Sequence, residues 1–343
     1  MKTRPLSGRT WLPLAAALLV PLAAPAQEAA GSLEPVHLML HWKHQAQFAG
    51  FYMAKEKGFY ERRGLDVRID QRPMRSEPLD LLVEGRVDFA THFLSLGIGL
   101  RGAQKEPIVL VGQFFNRSNL MLLARRSDGI EKISDLSGRT VAFWEGYYRL
   151  LFKALFRNYG AEDVIERPLG PTVNLFTSHQ VAACSAMEYN EYFLTRAVMG
   201  DAADDLAVFR LRDLGLDFPE DSLFTTEATA AQKPEVCRAL LAATLEGWDY
   251  AAKNPEETLA VVARVSVDAP GGVLTEEHSR WMLRICTESL VPPEGSGRTR
   301  GRLARTDFEA IKRFLRDNGE LRHDFAYEDF VRLDAVEPPA GRP

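Results

Sequence analysis

The feature that most constrains the fold is an unbroken strand, loop, helix and strand pattern near the start of the chain. Val36 to Leu40 alternates as a strand does, and Ala49 to Lys57 carries apolar residues at helical spacing. After two glycine reversals, Leu65 to Ile69 alternates apolar and charged residues with the period of a half-buried strand. This β-α-β unit places the loop Trp42 to Gln47 at the carboxyl end of a sheet, where open α/β folds bind their ligands.

Strand and helix patterns then alternate in two blocks. A continuously apolar strand is predicted over Ile108 to Val111 and another over Asn119 to Ala124. The polar break Arg125 to Gly129 is where we expect the chain to cross to a second lobe. A return crossing is expected near Gly215 to Thr226. The helices expected after it are Pro234 to Lys253, Pro255 to Val265, Glu276 to Leu290 and Thr306 to Asn318.

The predicted fold is therefore α/β and two-lobed, with a mixed, mostly parallel sheet flanked by helices in each lobe and two hinge crossings. The expected divisions are a signal peptide at 1–26, the first part of lobe 1 at 34–126, lobe 2 at 127–218, the return to lobe 1 with the C-terminal helices at 219–330, and a tail at 331–343.

The first residues are typical of an export signal. Three basic residues precede an apolar run from Trp11 to Ala24, and Ala24-Pro25-Ala26 offers a small-residue cleavage site. Prolines interrupt the run, which is shorter than the roughly 20 residues that a membrane-spanning helix needs. We expect cleavage before Gln27, a periplasmic location and no stable membrane insertion.

Charge and cysteine content exclude several functions. The formal charge of -5 becomes -8 once the three basic residues of the signal are removed, so nucleic acid is not expected as a partner. Cys184, Cys237 and Cys286 are far apart and are expected to be buried thiols. No metal-spaced pair and no nucleophile elbow occurs, which disfavours metalloenzymes and hydrolases.

Three motifs resemble one family. They are the stretch Trp42 to Val67, the turn Gly85-Arg86-Val87-Asp88, and the sequence Tyr189-Asn190-Glu191 after a predicted strand. Together they resemble the periplasmic solute-binding proteins related to thiamine pyrimidine synthases, which include carriers of pyrimidine precursors for ABC importers. The resemblance implies a type 2 periplasmic binding fold, a small heterocyclic ligand and an ABC transporter permease as partner.

Candidate ligand contacts come from loops at strand ends, which would face a cleft between the lobes. The predicted contacts are Trp42, Gln47, Thr91, Phe115, Trp144, Glu145, Tyr147, Glu188, Asn190 and Glu191. A carboxylate accepts from an exocyclic amine and an amide both donates and accepts, which suits the edge of a pyrimidine. Simpler roles stay open, because Trp42 could pack on the neighbouring helix and Glu191 could begin a helix.

The loop Trp144 to Tyr148 also bears on the ligand. A phosphate cradle needs several small residues so that backbone amides can approach the ligand, and this loop has only Gly146. It is otherwise aromatic. A neutral, unphosphorylated ring is therefore expected.

The synthase branch of the resembling family is expected to use pyridoxal phosphate held by a lysine, a donor histidine and a cysteine-rich segment. This chain has His92 at the expected lysine, Leu96 at the expected histidine and no cysteine in Ser222 to Thr226. We therefore expect no catalysis, no cofactor and no metal site. Two alternatives stay open: a synthase-like enzyme of thiamine biosynthesis, and a sensor that passes its ligand to a separate receptor.

Overall fold

Two five-stranded sheets organise the chain. The structure, a computed structural model, describes residues 32–73, 76–104, 107–267 and 275–332. The predicted signal peptide at 1–26 and most of the predicted tail at 331–343 lie outside the described residues. The strands are β1 (Glu34–Leu40), β2 (Leu65–Gln71), β3 (Phe89–His92), β4 (Ile108–Phe115), β5 (Leu120–Arg125), β6 (Thr140–Phe143), β7 (Ile165–Pro168), β8 (Ala183–Met187), β9 (Leu206–Arg210) and β10 (Glu220–Thr226).

The two sheets share one plan. The first has the order β2-β1-β3-β10-β4 and the second the order β7-β6-β8-β5-β9. In each sheet the first three strands are parallel, and the strand that enters from the other sheet, β10 or β5, runs antiparallel to both neighbours. The predicted mixed α/β fold with two crossings is confirmed, although parallel pairs make up half of the pairings rather than most.

Helices cover both sheets. They are α1 (Ala49–Glu56), α2 (Pro78–Val83), α3 (Leu94–Gln104), α4 (Tyr147–Asn158), α5 (Asn174–Thr177), α6 (Glu191–Met199), α7 (Glu227–Gln232), α8 (Pro234–Lys253), α9 (Pro255–Val265), α10 (Glu276–Ser289), α11 (Arg305–Asp317) and α12 (Tyr327–Phe330). Proline opens α2, α8 and α9, where its fixed φ fits and its missing N–H costs nothing. The long helices after β10 return to the first sheet, as predicted, since α8 packs on α1 and β4.

The first crossing lies earlier than the sequence predicts. The strand expected over Asn119 to Ala124 does form, but as β5 of the second sheet, where its residues pair with β8 and β9. The chain therefore changes sheets at residues 116–119 and not at Arg125 to Gly129. The return segment also holds more structure than expected, because Glu220 to Thr226 is the inserted strand of the first sheet and not a loop.

The two crossings are bonded to each other. Buried Glu220, at the start of β10, accepts hydrogen bonds from Ser118 Oγ at 2.8 Å, from Asn119 N at 2.9 Å and from Asn119 Nδ2 at 3.2 Å. Asp217 accepts from Ser118 N at 2.9 Å and pairs with Arg298 at 2.6 Å. These contacts fix the distance between the crossings, and hence the placement of one sheet against the other.

Helices α1 and α8 cross in direct contact, because glycine occupies both sides of the crossing. A Cβ added to Gly247 would lie 2.0 Å from the carbonyl oxygen of Gly50, and one added to Gly50 would lie 2.2 Å from Cγ of buried Trp248. The carbonyl group of Gly50 is part of the backbone of α1, so it cannot move aside unless the whole of α1 moves. The crossing therefore depends on both glycines.

We expect Gly247→Ala to lower the free energy of unfolding by at least about 2 kcal/mol, because α1 must shift from α8 and overpacked cores lose about this much. Urea denaturation of the purified protein measures the change. Gly170→Ala is the matched control, since a Cβ there meets nothing within 4 Å. Equal stability of the two variants would contradict the close crossing.

Candidate ligand-binding site

A cavity of about 620 Å³ lies where the carboxyl ends of strands from both sheets converge. Its walls follow β1, β3, β6 and β8, which is the edge that the first β-α-β unit predicts. The aromatic residues that line it are Trp42, Phe93, Trp144, Tyr147, Tyr148 and Tyr189. Its size is in the range of small-molecule sites, about 300 to 1,000 Å³.

The structure brings most of the predicted contacts to this cavity. Those that line it are Trp42, Gln47, Trp144, Glu145, Tyr147, Asn190 and Glu191. Because they come from three separate loops, strand order and not proximity in the sequence gathers them. Their contact with a ligand remains a prediction.

Three predicted contacts lie elsewhere. Thr91 is buried behind the cavity, where its Oγ1 bonds the backbone N and the ring Nδ1 of His41. Phe115 packs edge-on against Tyr189 and Trp248. Glu188 forms ion pairs with Arg210 and Arg212, the shorter of them 2.6 Å long. Only Glu188 follows a strand as predicted, because Thr91 lies within β3 and Phe115 is the last residue of β4. None of the three is among the residues that line the cavity.

Other lining residues were missed by the sequence reasoning. His41 and Gln45 flank Trp42 in the same loop, and Arg72, Glu77 and Asp80 follow β2 at the same edge of the sheet. The sequence could have indicated them. Ligands bind at the carboxyl ends of parallel strands, and the residues after β2 lie at the same edge of the sheet as those after β1.

A polar network forms one wall. His41 is 4% exposed, and its Nε2 lies 3.2 Å from Gln47 Nε2 and 3.6 Å from Asp221 Oδ1. Gln47 Nε2 also donates to Asp221 Oδ2 at 2.8 Å. Burial, with help from His92 and Arg72, holds the pKa of His41 well below its usual value, so the imidazole is neutral and its Nε2 accepts a hydrogen bond.

A charged group lies next to this network, since the rings of His92 and His41 are 5.4 Å apart. Arg72 Nη2 donates to Glu77 Oε1 at 2.5 Å, and Glu77 Oε2 lies 3.4 Å from His92 Nε2. His92 Nδ1 accepts from Phe93 N at 2.8 Å, so the ring proton sits on Nε2, facing Glu77. Arg72 is the only Lys or Arg among the described residues that line the cavity, and its charge is thus already paired.

The first turn of α6 supplies a carboxyl group. Glu191 Oε2 accepts from Met187 N at 3.0 Å, and Oε1 accepts from Asn190 Nδ2 at 2.6 Å. Burial raises the pKa of Glu191 even though these hydrogen bonds oppose the shift. The group is therefore held in one orientation at the cavity wall, as a site built to recognise a polar edge requires.

Helix α10, which packs on the first sheet's helices, also supports α6. Trp281 Nε1 donates to the carbonyl oxygen of Glu188 at 2.9 Å. The ring of Phe193 stacks on that of His278, with centroids 4.9 Å apart and 3° between the planes. Helix α6, which carries Glu191, is thus held in place by α10 as well as by the second sheet.

The buried His278 gives a pH-dependent stability. Burial lowers its pKa from 6.5 to about 4, so the unfolded state binds more protons between these values and stability falls as the pH drops through this window. We expect His278→Phe, which keeps the ring stack, to remove this loss. Between about pH 7 and about pH 5 the unmodified protein should lose about 1 to 2 kcal/mol more than the variant.

Urea denaturation at the two pH values measures this difference. His179→Asn is the control, since His179 is exposed and asparagine tolerates its positive φ of 60°. If His278→Phe loses as much stability on acidification as the unmodified protein does, the assignment of a neutral, buried imidazole to His278 is wrong.

The described residues contain neither a metal site nor a membrane-spanning helix. In the ranges that the structure describes, no three His, Cys, Asp or Glu side chains are grouped so that they could hold a metal ion. Within those same ranges, no helix combines the length and apolar character needed to cross a bilayer.

The architecture is that of the periplasmic binding proteins. The aliphatic sulphonate binding protein SsuA of Escherichia coli superposes with a TM-score of 0.67 at 17% identity, over 88% of this chain and 98% of that one. At this identity the likeness concerns the fold alone. By sequence, the chain belongs to the NMT1/THI5-like family, whose model matches residues 45–258.

Relatives in this family have differing functions. The formylaminopyrimidine-binding protein of Halalkalibacterium halodurans is 24% identical, over 77% of this chain and 80% of its own. The riboflavin-binding protein RibY of Chloroflexus aurantiacus is also 24% identical, over 88% and 86%. The 4-amino-5-hydroxymethyl-2-methylpyrimidine phosphate synthase THI11 of Saccharomyces cerevisiae is 20% identical, over 65% and 69%.

Proposed function

We propose that this protein is the exported solute-binding component of an ABC importer, and that it captures a small nitrogen heterocycle in the cavity between its two sheets. The observation that carries the proposal is the lining of the cavity, in which aromatic faces surround one buried carboxyl group. Trp42 and Trp144 offer faces for a planar ring, and Asn190 with Glu191 offers an edge that both donates and accepts.

A pyrimidine precursor of thiamine is the ligand we favour. The names of two relatives that span most of this chain refer to a formylaminopyrimidine and to riboflavin, both nitrogen heterocycles. The carboxyl group of Glu191 matches the exocyclic amine of an aminopyrimidine, and the loop Trp144 to Tyr148 lacks the small residues that a phosphate would need. The ligand is therefore unphosphorylated.

The same cavity disfavours anions, although a neighbour in fold binds sulphonates. Its lining carries Glu77, Asp80, Glu145 and Glu191, whereas Arg72 is engaged by Glu77. A sulphonate would meet no free cation among the described lining residues and several carboxylates, which is unfavourable in a partly enclosed site.

Capture without catalysis is the activity that the lining supports. No lysine and no cysteine occurs among the described residues that line the cavity, so a Schiff base has no amine there. Burial raises the pKa of all three cysteine thiols, which makes them poor nucleophiles. We propose a periplasmic location, with residues 1–26 removed on export. A synthase-like enzyme and a sensor remain the alternatives.

Binding can be tested with purified mature protein. We expect 4-amino-5-hydroxymethyl-2-methylpyrimidine or its formylamino analogue to raise the melting temperature, and calorimetry to show affinity that Glu191→Gln lowers at least tenfold. Glutamine keeps an acceptor for Met187 N, so the fold is retained. Glu162→Gln, at an exposed position, is the control. A melting-temperature rise with an alkanesulfonate and with no nitrogen heterocycle would sink the proposal.

Catalysis is tested separately by mass spectrometry after prolonged incubation with the pyrimidine, with and without added pyridoxal phosphate. We expect both ligand and polypeptide to be recovered at unchanged mass, because a carrier forms no covalent intermediate. A product of new mass, or loss of an imidazole from the chain, would favour the synthase alternative.

A further inference from the structure

One wall of the cavity is built from a chain of amide hydrogen bonds. Gln45 is 1% exposed, and its Nε2 donates to Gln47 Oε1 at 2.7 Å. Gln47 Nε2 in turn donates to Asp221 Oδ2 at 2.8 Å. We call this chain, Asp221, Gln47 and Gln45, the amide relay.

The orientation of the relay is set at its far end. Gln47 Nε2 faces two acceptors, Asp221 Oδ2 and the Nε2 of neutral His41. Because Gln47 Nε2 is the donor to Asp221, His41 Nε2 can only accept from it, which places the ring proton on Nδ1, 2.8 Å from Thr91 Oγ1. Burial raises the pKa of Asp221, and with Gln47 Nε2 donating to Oδ2, a proton on this carboxyl would be carried by Oδ1. With Nε2 fixed in this way, Gln47 Oε1 must face Gln45.

The relay leaves an oxygen at each end without a hydrogen-bond partner in the described part of the chain. Since Gln45 Nε2 faces Gln47, Gln45 Oε1 is left, and it has no hydrogen-bond partner among the described residues. Asp221 Oδ1, at the other end, also has none. Buried acceptors without partners are rare in folded proteins, and Gln45 lines the cavity. The missing partner is a donor.

The electrostatic field in the cavity favours the same kind of group. Burial raises the pKa of the buried hydroxyl of Tyr148, and four carboxyl groups add to the shift. They belong to Glu220, Asp221, Glu191 and Glu77. Negative potential beside aromatic faces stabilises N–H donors and positive charge.

We propose that the amide relay selects ligands that present an N–H donor to Gln45 Oε1, and that it rejects rings with an oxo group at this place. Gln45 is then the residue that contacts the ligand, and Gln47 and Asp221 are positioning residues. This inference rests on the proposed capture of a heterocycle and specifies the polarity of that ligand.

The test compares two probes by calorimetry: 4-amino-5-hydroxymethyl-2-methylpyrimidine and its 4-oxo counterpart. We expect the unmodified protein to bind the amino compound at least tenfold more tightly, because the oxo compound would place an acceptor against an acceptor. Gln45→Met, which has a similar length but no amide, should lower the ratio of the two affinities several-fold, with Glu191 keeping the remaining preference for the amine.

Gln47→Met tests the positioning role, since it leaves Gln45 in place but frees its amide to turn. The ratio of affinities should fall several-fold, an effect that a merely structural role would not produce because both probes would weaken together. Gln180→Met, at an exposed position, is the matched control.

The outcomes separate the two proposals. Tight binding of both probes with equal affinity, or an unchanged ratio in Gln45→Met, overturns the relay and leaves the capture of a heterocycle standing. If neither probe binds, the pyrimidine assignment is wrong, and so is the selectivity proposed for the relay. This holds whether a heterocycle of another class raises the melting temperature or none does.

Discussion

The carboxyl group of Glu220 is the contact on which the arrangement of the two sheets depends. It is 5% exposed and belongs to the second crossing, yet all three of its hydrogen-bond donors belong to the first. Burial raises its pKa to about 7, which shows how far it is removed from water. A buried carboxyl that is satisfied only by another segment holds that segment in place, because leaving it unpaired costs about 1 to 3 kcal/mol or more.

The same strand connects the crossings to the ligand site. Asp221 follows Glu220 directly and adopts a φ of 48°, a left-handed conformation that aspartate tolerates better than most residues. This conformation directs one carboxyl group toward the first crossing and the next toward Gln47 and His41. A change in the angle between the sheets would therefore move the wall of the cavity, which is the coupling that hinge closure around a ligand requires.

The relatives of this chain and the chemistry of its cavity bear differently on the question of capture or catalysis. The chain belongs to the NMT1/THI5-like family, and its relatives are named as binding proteins or as synthases, so similarity alone does not separate capture from catalysis. The lining of the cavity does bear on it. Neutral His41, a paired Arg72 and aromatic walls suit the proposed recognition of a ring, and no lysine or cysteine is among the described lining residues.

The sequence determined the local elements, because they depend on near neighbours. The strand at Val36, the helix at Ala49 and the helix Pro234–Lys253 form where periodicity, glycine and proline predict them. It also placed Trp42, Trp144 and Glu191 near strand ends.

The tertiary structure decided which strands pair with which. Leu120–Arg125 joined the second sheet, and Glu220–Thr226 became an inserted strand of the first. The same holds for Thr91, Phe115 and Glu188, which do not line the cavity, and for Gln45, which does. Which strand lies beside which, and where a side chain then points, depends on contacts between residues about a hundred positions apart, and no local pattern encodes them.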